Sequence, residues 1–159
     1  MSRNAHPILP LLLRAGLGLF FLIVGVLKIR DLPAFTEDIF NYQILFPPYD
    51  AYAAHLVAWL EILAGLVVMI GRWGTRGALL LIAGLLFTFI TALSIAAAKG
   101  LNINCGCFGY SEDPTNFPLH IGFNLALLLL TGFLFWRQIL PAQLTSTQAN
   151  TQDLTTSAR

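Results

Sequence analysis

The sequence predicts an all-α polytopic membrane protein: a four-transmembrane-helix bundle with a short interfacial helix in its first outer loop. Three observations carry that expectation. Hydrophobic residues make up 57% of the chain and charged ones 11%, against roughly a quarter charged in an ordinary soluble domain, so too little polar surface is present for water to be the solvent. Residues 8–29, 52–70, 77–98 and 119–136 form apolar stretches, close to the ~20 residues of helix that cross a hydrocarbon core. Within each stretch, small and weakly polar residues recur at helical spacing on one face, as packed membrane helices require. With 159 residues and a formal net charge of +1, the chain fits one domain and lacks the basic field of a nucleic-acid binder.

The first span carries Arg14, Gly18, Phe21, Gly25 and Lys28 on one stripe, which predicts its inward face. Arg3 before an apolar run resembles a secretory signal. Arg14 interrupts that run, however, and the segment from Val24 to Lys28 offers no small-residue cleavage site, so the stretch is read as a span. In the outer loop, residues 30–51, Phe35, Ile39 and Tyr42 recur at helical spacing and predict a short helix at the lipid interface, ended by Pro47 and Pro48. The second span offers Ala54, Ala58, Glu61, Ala64 and Gly65 on one face. Residues 71–76 are a short link that makes the second and third spans a hairpin. The third span is expected to turn Gly84, Thr88, Thr91 and Ile95 inward, and the fourth His120, Asn124 and Thr131. Residues 1–137 thus form the membrane domain. Residues 138–159, rich in Thr, Ser, Gln and Asn towards their end, are predicted to be a disordered cytoplasmic tail.

The basic residues set the orientation. Four spans put Arg3, Arg14, Arg72, Arg76 and Arg137 on one side, while Lys28, Arg30 and Lys99 on the other are offset by Asp31, Glu37, Asp38, Asp50, Glu112 and Asp113. Both termini are therefore expected in the cytoplasm. The connection before the fourth span is expected outside, on the periplasmic side of a bacterial inner membrane, where disulfides persist.

That connection contains Asn102-Ile103-Asn104-Cys105-Gly106-Cys107-Phe108-Gly109, and with it both cysteines of the chain. A bond between Cys105 and Cys107 would close a small ring, more strained and more easily reduced than a structural bridge. Gly106 admits backbone angles that relieve part of the strain. Closing so short a loop removes little entropy from the unfolded chain. Exchange-active thiols are therefore the first expectation, a structural pair the second. A metal site ranks last, since only His120 is near as a further ligand.

Within the spans, Glu61 stands near the middle of the second, where an ionised carboxylate costs about 2.5 kcal/mol or more unless it is paired or protonated. Arg14 lies about 9 Å and Glu61 about 15 Å from the cytoplasmic surface at 1.5 Å per residue. A buried Arg14–Glu61 pair is thus expected, with a proton-carrying or quinone-site role for Glu61 as the functional alternative. Lys28 and His55 near the outer ends, and His120 at the start of the fourth span, are either interfacial side chains or supports of a redox or quinone site.

These features resemble the MauE/DoxX family of small four-span membrane proteins. The resemblance covers about residues 11–136 and is carried by Gly25-Val26-Leu27-Lys28-Ile29-Arg30-Asp31, by Phe35 and Asn41-Tyr42, and by Trp59-Leu60-Glu61-Ile62-Leu63-Ala64-Gly65-Leu66. Its most specific element, Cys105-Gly106-Cys107-Phe108-Gly109, points to the MauE branch. The resemblance implies a redox-associated membrane protein of methylamine utilisation, acting with a thioredoxin-like periplasmic partner that forms disulfides in a dehydrogenase subunit. The chain has no CxxC of its own, so such a partner is a separate protein. Membrane thiol-disulfide exchange through Cys105 and Cys107, with a membrane quinone taking the electrons, is the function expected. The rival expectation is a non-catalytic anchor or assembly subunit of a periplasmic dehydrogenase complex.

Overall fold

In the computed structural model, the backbone is described for residues 8–71, 74–101 and 116–157, and the side chains for 9–71, 74–101 and 116–138. The elements run α1 (Ile8–Arg30), α2 (Leu32–Asn41), α3 (Tyr49–Ile70), α4 (Thr75–Ala98) and α5 (Phe117–Ser157), with no strand among the described residues. Four of the helices contain segments long and apolar enough to cross a membrane: Leu9–Arg30, Tyr49–Ile70, Thr75–Ala98 and Phe117–Gln138. The protein is an all-helical, polytopic four-helix membrane protein.

The closest packing joins α1 to α3 and α4 to α5; α3 bridges to α4, and α1 meets α5 only lightly. Glycine makes the first contact possible. A Cβ on Gly18 would lie 2.7 Å from the Gly65 carbonyl oxygen, and one on Gly65 would lie 2.6 Å from that of Gly18. The two backbones touch, as small residues permit in membrane helix pairs. Higher up, Gly25 meets Ala58 and Ile62 in the same way. The α1 and α3 stripes predicted from spacing are therefore the contact faces: Gly18, Phe21, Gly25 and Lys28 are buried, as are Ala54, Ala58, Glu61, Ala64 and Gly65. Leu17, Phe21, Ala64, Val68, Leu79, Ile82 and Leu134 complete the bundle core.

The predicted face of α4 is corrected. Gly84, Thr88, Thr91 and Ile95 are exposed, and Leu79, Ile82, Leu86, Leu93 and Ala96 are the buried residues. A threonine can face lipid because its hydroxyl bonds within its own helix. Thr88 Oγ1 donates to the Gly84 carbonyl at 2.9 Å and Thr91 Oγ1 to that of Phe87 at 2.8 Å. On α5 the expected face holds in part: Asn124 and Thr131 are buried and His120 is half-buried.

The first loop forms the expected helix. Asp31 caps α2, its carboxylate accepting from the Ala34 amide at 3.3 Å. The helix lies against α3 and the end of α1, burying Phe35, Asp38 and Tyr42. Asp38 thus occupies a position that the apolar periodicity assigned to Ile39. Gly71 ends α3 in a left-handed conformation, φ 67°, its amide bonding the Val67 carbonyl, and Gly74 opens α4 at φ 77°. At the other extreme, α5 stays helical to Ser157, where composition predicts a disordered tail. Extending an existing helix avoids the unfavourable nucleation step that an isolated polar segment faces.

Candidate functional site

Two charged side chains meet inside the bundle. Lys28 Nζ donates to Glu61 Oε1 at 2.6 Å, with the side chains 2% and 3% exposed. Lys28 sits in the last turn of α1, and the close approach of Gly25 to Ala58 brings that turn beside α3. The lysine stem then reaches one turn along to Glu61. The rings of Phe35 and Phe89 lie 4.7 and 4.5 Å from Nζ, so the ammonium interacts with two π faces as well as one carboxylate. Between apolar helices a lone charge of either sign is costly, and a charge-assisted bond of this length offsets much of that cost.

The expected Arg14–Glu61 pair is not formed. Arg14 Nη1 donates instead to the Gly71 carbonyl at 3.4 Å, placing its charge at the C-terminus of α3, where the helix dipole favours a cation. The α1–α3 register explains the exchange of partners. With Gly18 against Gly65, Arg14 comes level with Gly71, about 15 Å along the helix axis from Glu61 at 1.5 Å per residue.

Glu61 Oε2 is buried without a hydrogen-bond partner among the described residues. Beside the pair is a cavity of about 30 Å³, lined by Lys28, Glu61, Asn124 and phenyl rings that include Phe20 and Phe123, enough for a water molecule. Asn124 Nδ2 is held by the His120 carbonyl at 2.8 Å. Asp38 on α2 adds a second carboxylate near Lys28. Burial, then the neighbouring Glu37 and Asp31 charges, push Asp38 up to about 6 from its ordinary 3.8, with Lys28 pulling the other way. Burial followed by the Asp38 charge also raises the Tyr42 hydroxyl above its usual range.

Of the residues expected at a site, the structure joins Lys28 and Glu61. It leaves His55 on an exposed face of α3, its Nδ1 2.8 Å from the Ala51 carbonyl oxygen, and His120 in the first turn of α5. Cys105 and Cys107 lie outside the described residues. The ends of their connection are described: Leu101 and Phe117 pack, with Ile121, on a cluster of Tyr42, Leu93 and Ala96. Tyr42 caps the C-terminus of α2, the helix that also delivers Phe35 to Lys28. Sequence reasoning missed Asp38 and Phe89 as neighbours of the pair. Asp38 had a usable signal, three residues after Phe35 on one helical face.

A second cavity, about 370 Å³, lies between α2, α3 and α4, with Phe35, Tyr42, Val57 and Phe89 in its wall.

The family model described as "Methylamine utilisation protein MauE" matches residues 6–137. No curated protein and no solved structure matches the chain.

Proposed function

The chain belongs to the MauE family, and from that premise we propose that it is the membrane thiol-disulfide exchange component of methylamine utilisation. The observation that carries the reading is the placing of the chain's only two cysteines, one residue apart, in the connection between α4 and α5. The described ends of that connection pack on a cluster of Tyr42, Leu93 and Ala96.

A thiolate of a periplasmic thioredoxin-like partner, or of a dehydrogenase subunit, attacks the Cys105–Cys107 disulfide. One S–S bond breaks and a mixed disulfide forms. A second partner thiolate then displaces the chain, so the partner leaves with a disulfide and the chain keeps a dithiol. Reoxidation removes two electrons and two protons from that dithiol. A membrane quinone, reduced to the quinol, balances both. The buried Lys28–Glu61 pair lies at the same end of the bundle, and its charges are suited to stabilising charge that develops on an acceptor in a low-dielectric site.

Single Cys105→Ser and Cys107→Ser variants, expressed with the methylamine-utilisation proteins, test this. One of them should trap a reductant-sensitive adduct with a thioredoxin-like protein or a dehydrogenase subunit. The double serine variant should leave that subunit's thiols unpaired although complexes still assemble. Normal disulfide formation with the double variant would discard exchange and leave the anchor or assembly role.

A further inference from the structure

The end of the bundle opposite α2 gathers positive charge. An open pocket of about 560 Å³ there is lined by Arg14 of α1, Gly71 at the end of α3, Thr75 and Arg76 at the start of α4, and Arg137 of α5. No carboxylate lines it among the described residues, and the sequence has none at residues 1–30, 62–111 or 114–152. Each guanidinium is held at one point. The Arg14 group lies against the Gly71 backbone, where a Cβ would collide with it, and its Nη1 donates to the Gly71 carbonyl at 3.4 Å. Arg76 Nη2 donates to the Gln138 carbonyl at 2.8 Å, and the Arg137 guanidinium lies 5.3 Å from the Phe133 ring. A guanidinium carries five N–H donors, so each keeps some for a ligand. Arg14 Nε and Thr75 Oγ1 are buried without any hydrogen-bond partner, the second on a residue only 7% exposed. Unpaired buried donors are costly, a cost that an acceptor in the pocket would offset. Gly74 opens α4 with no side-chain cap, which leaves the first amides of the helix and the positive end of its dipole at the same place.

We propose that this pocket binds a phosphate group, held by the Arg14, Arg76 and Arg137 guanidiniums, with Thr75 and the first turn of α4 as further donors. Three features select that chemistry. Planar guanidiniums match phosphate oxygens in pairs, a helix N-terminus favours an anion, and three cations without a carboxylate attract negative charge more strongly where water is partly excluded. The spans around the pocket end at Ile70 and Gln138 and resume at Thr75, which sets it at the level of lipid headgroups. The phosphate there belongs to an anionic phospholipid or is free phosphate from the adjoining water. A zwitterionic headgroup fits less well, because its ammonium would join three like charges. A bound phosphate would tie α1 to α5, which otherwise meet only lightly, and so clamp one helix pair on the other.

The full chain in a neutral detergent, titrated with phosphatidylglycerol, phosphatidylcholine and, separately, inorganic phosphate, tests the site by thermal unfolding and by native mass spectrometry of the retained lipid. Phosphatidylglycerol should raise Tm and bind about tenfold more tightly than phosphatidylcholine. Inorganic phosphate that raises Tm equally and displaces the lipid would name free phosphate as the occupant; if it does neither, the occupant is the lipid headgroup. Arg76→Gln and Arg137→Gln, both at exposed positions, should each weaken binding about tenfold. Arg30→Gln, at an exposed arginine on the far end of α1, should leave it unchanged. Thr75→Val removes the unpartnered hydroxyl at nearly constant volume. It should weaken binding several-fold while the ligand-free Tm stays the same or rises, whereas a merely structural hydroxyl would give a lower ligand-free Tm with binding unchanged. Equal weakening by Arg30→Gln, or binding that Arg76→Gln and Arg137→Gln together leave intact, would reduce the effect to general surface charge and overturn the site. So would a Tm that neither phosphatidylglycerol nor phosphate shifts.

Discussion

At the scale of single residues, Lys28 and Glu61 depend on each other. Each is almost wholly buried and the bond between them is 2.6 Å long, so removing one partner leaves the other charge without compensation. Glu61→Gln is expected to lower stability by about 3–5 kcal/mol, and the double change Lys28→Met with Glu61→Gln to recover most of that loss. Unfolding titrations in mixed micelles measure both; an unchanged midpoint for Glu61→Gln would show that the pair does not support the fold. Asp38 makes a prediction of opposite character. Its folded value, about 6, exceeds the ordinary 3.8, so between these the folded chain holds more protons than the unfolded one. Its contribution to stability is fully present below pH 3.8 and is lost as pH rises to about 6. Asp38→Asn should flatten that part of the Tm-against-pH curve and raise Tm at pH 7. A wild-type curve no steeper than the variant's would show that burial does not perturb Asp38.

At the scale of elements, the α1–α3 contact and the α4 face teach different things. A methyl group on Gly65 would press to 2.6 Å from the Gly18 oxygen and 2.7 Å from the Leu22 nitrogen, both backbone atoms that cannot turn aside, whereas nothing lies within 4 Å of a methyl group on Gly84. Gly18→Ala and Gly65→Ala should each cost about 1–3 kcal/mol, the range for overpacking. Gly84→Ala should be neutral or slightly stabilising, because alanine is the better helix former. Equal effects of Gly65→Ala and Gly84→Ala in the same unfolding assay would refute the close approach. The stripes of α1 and α3 were legible because glycine and alanine at helical spacing have few uses other than close packing. The face of α4 is not legible from the sequence, because a threonine whose hydroxyl bonds the preceding turn can face outward as readily as inward. The short helix α2 was legible from its apolar period, but the burial of Asp38 within it was not.

At the scale of the whole molecule, two tight helix pairs, α1–α3 and α4–α5, are joined through α3 and α4, and the Lys28–Glu61 pair lies towards the α2 end, beside Phe35. The proposed orientation puts that end outside the cell. An impermeant maleimide added to intact cells after mild reduction should then label Cys105 and Cys107, with no gain when the inner face is opened. Labelling only after the inner face is opened would reverse the orientation and remove access for a periplasmic partner.

The sequence by itself determined the solvent, the number of spans, the helix in the first loop and the need of Glu61 for a partner. These follow from composition, length and period, which are properties of one segment at a time. Tertiary structure alone decided that the partner is Lys28 rather than Arg14, that Phe35 and Phe89 enclose the ammonium, and that a cavity lies beneath α2. Each of these depends on how far one helix slides along another. That displacement is fixed by the contact of Gly18 with Gly65, two residues distant in the chain. A shift of a few residues there would carry Lys28 beyond the reach of Glu61.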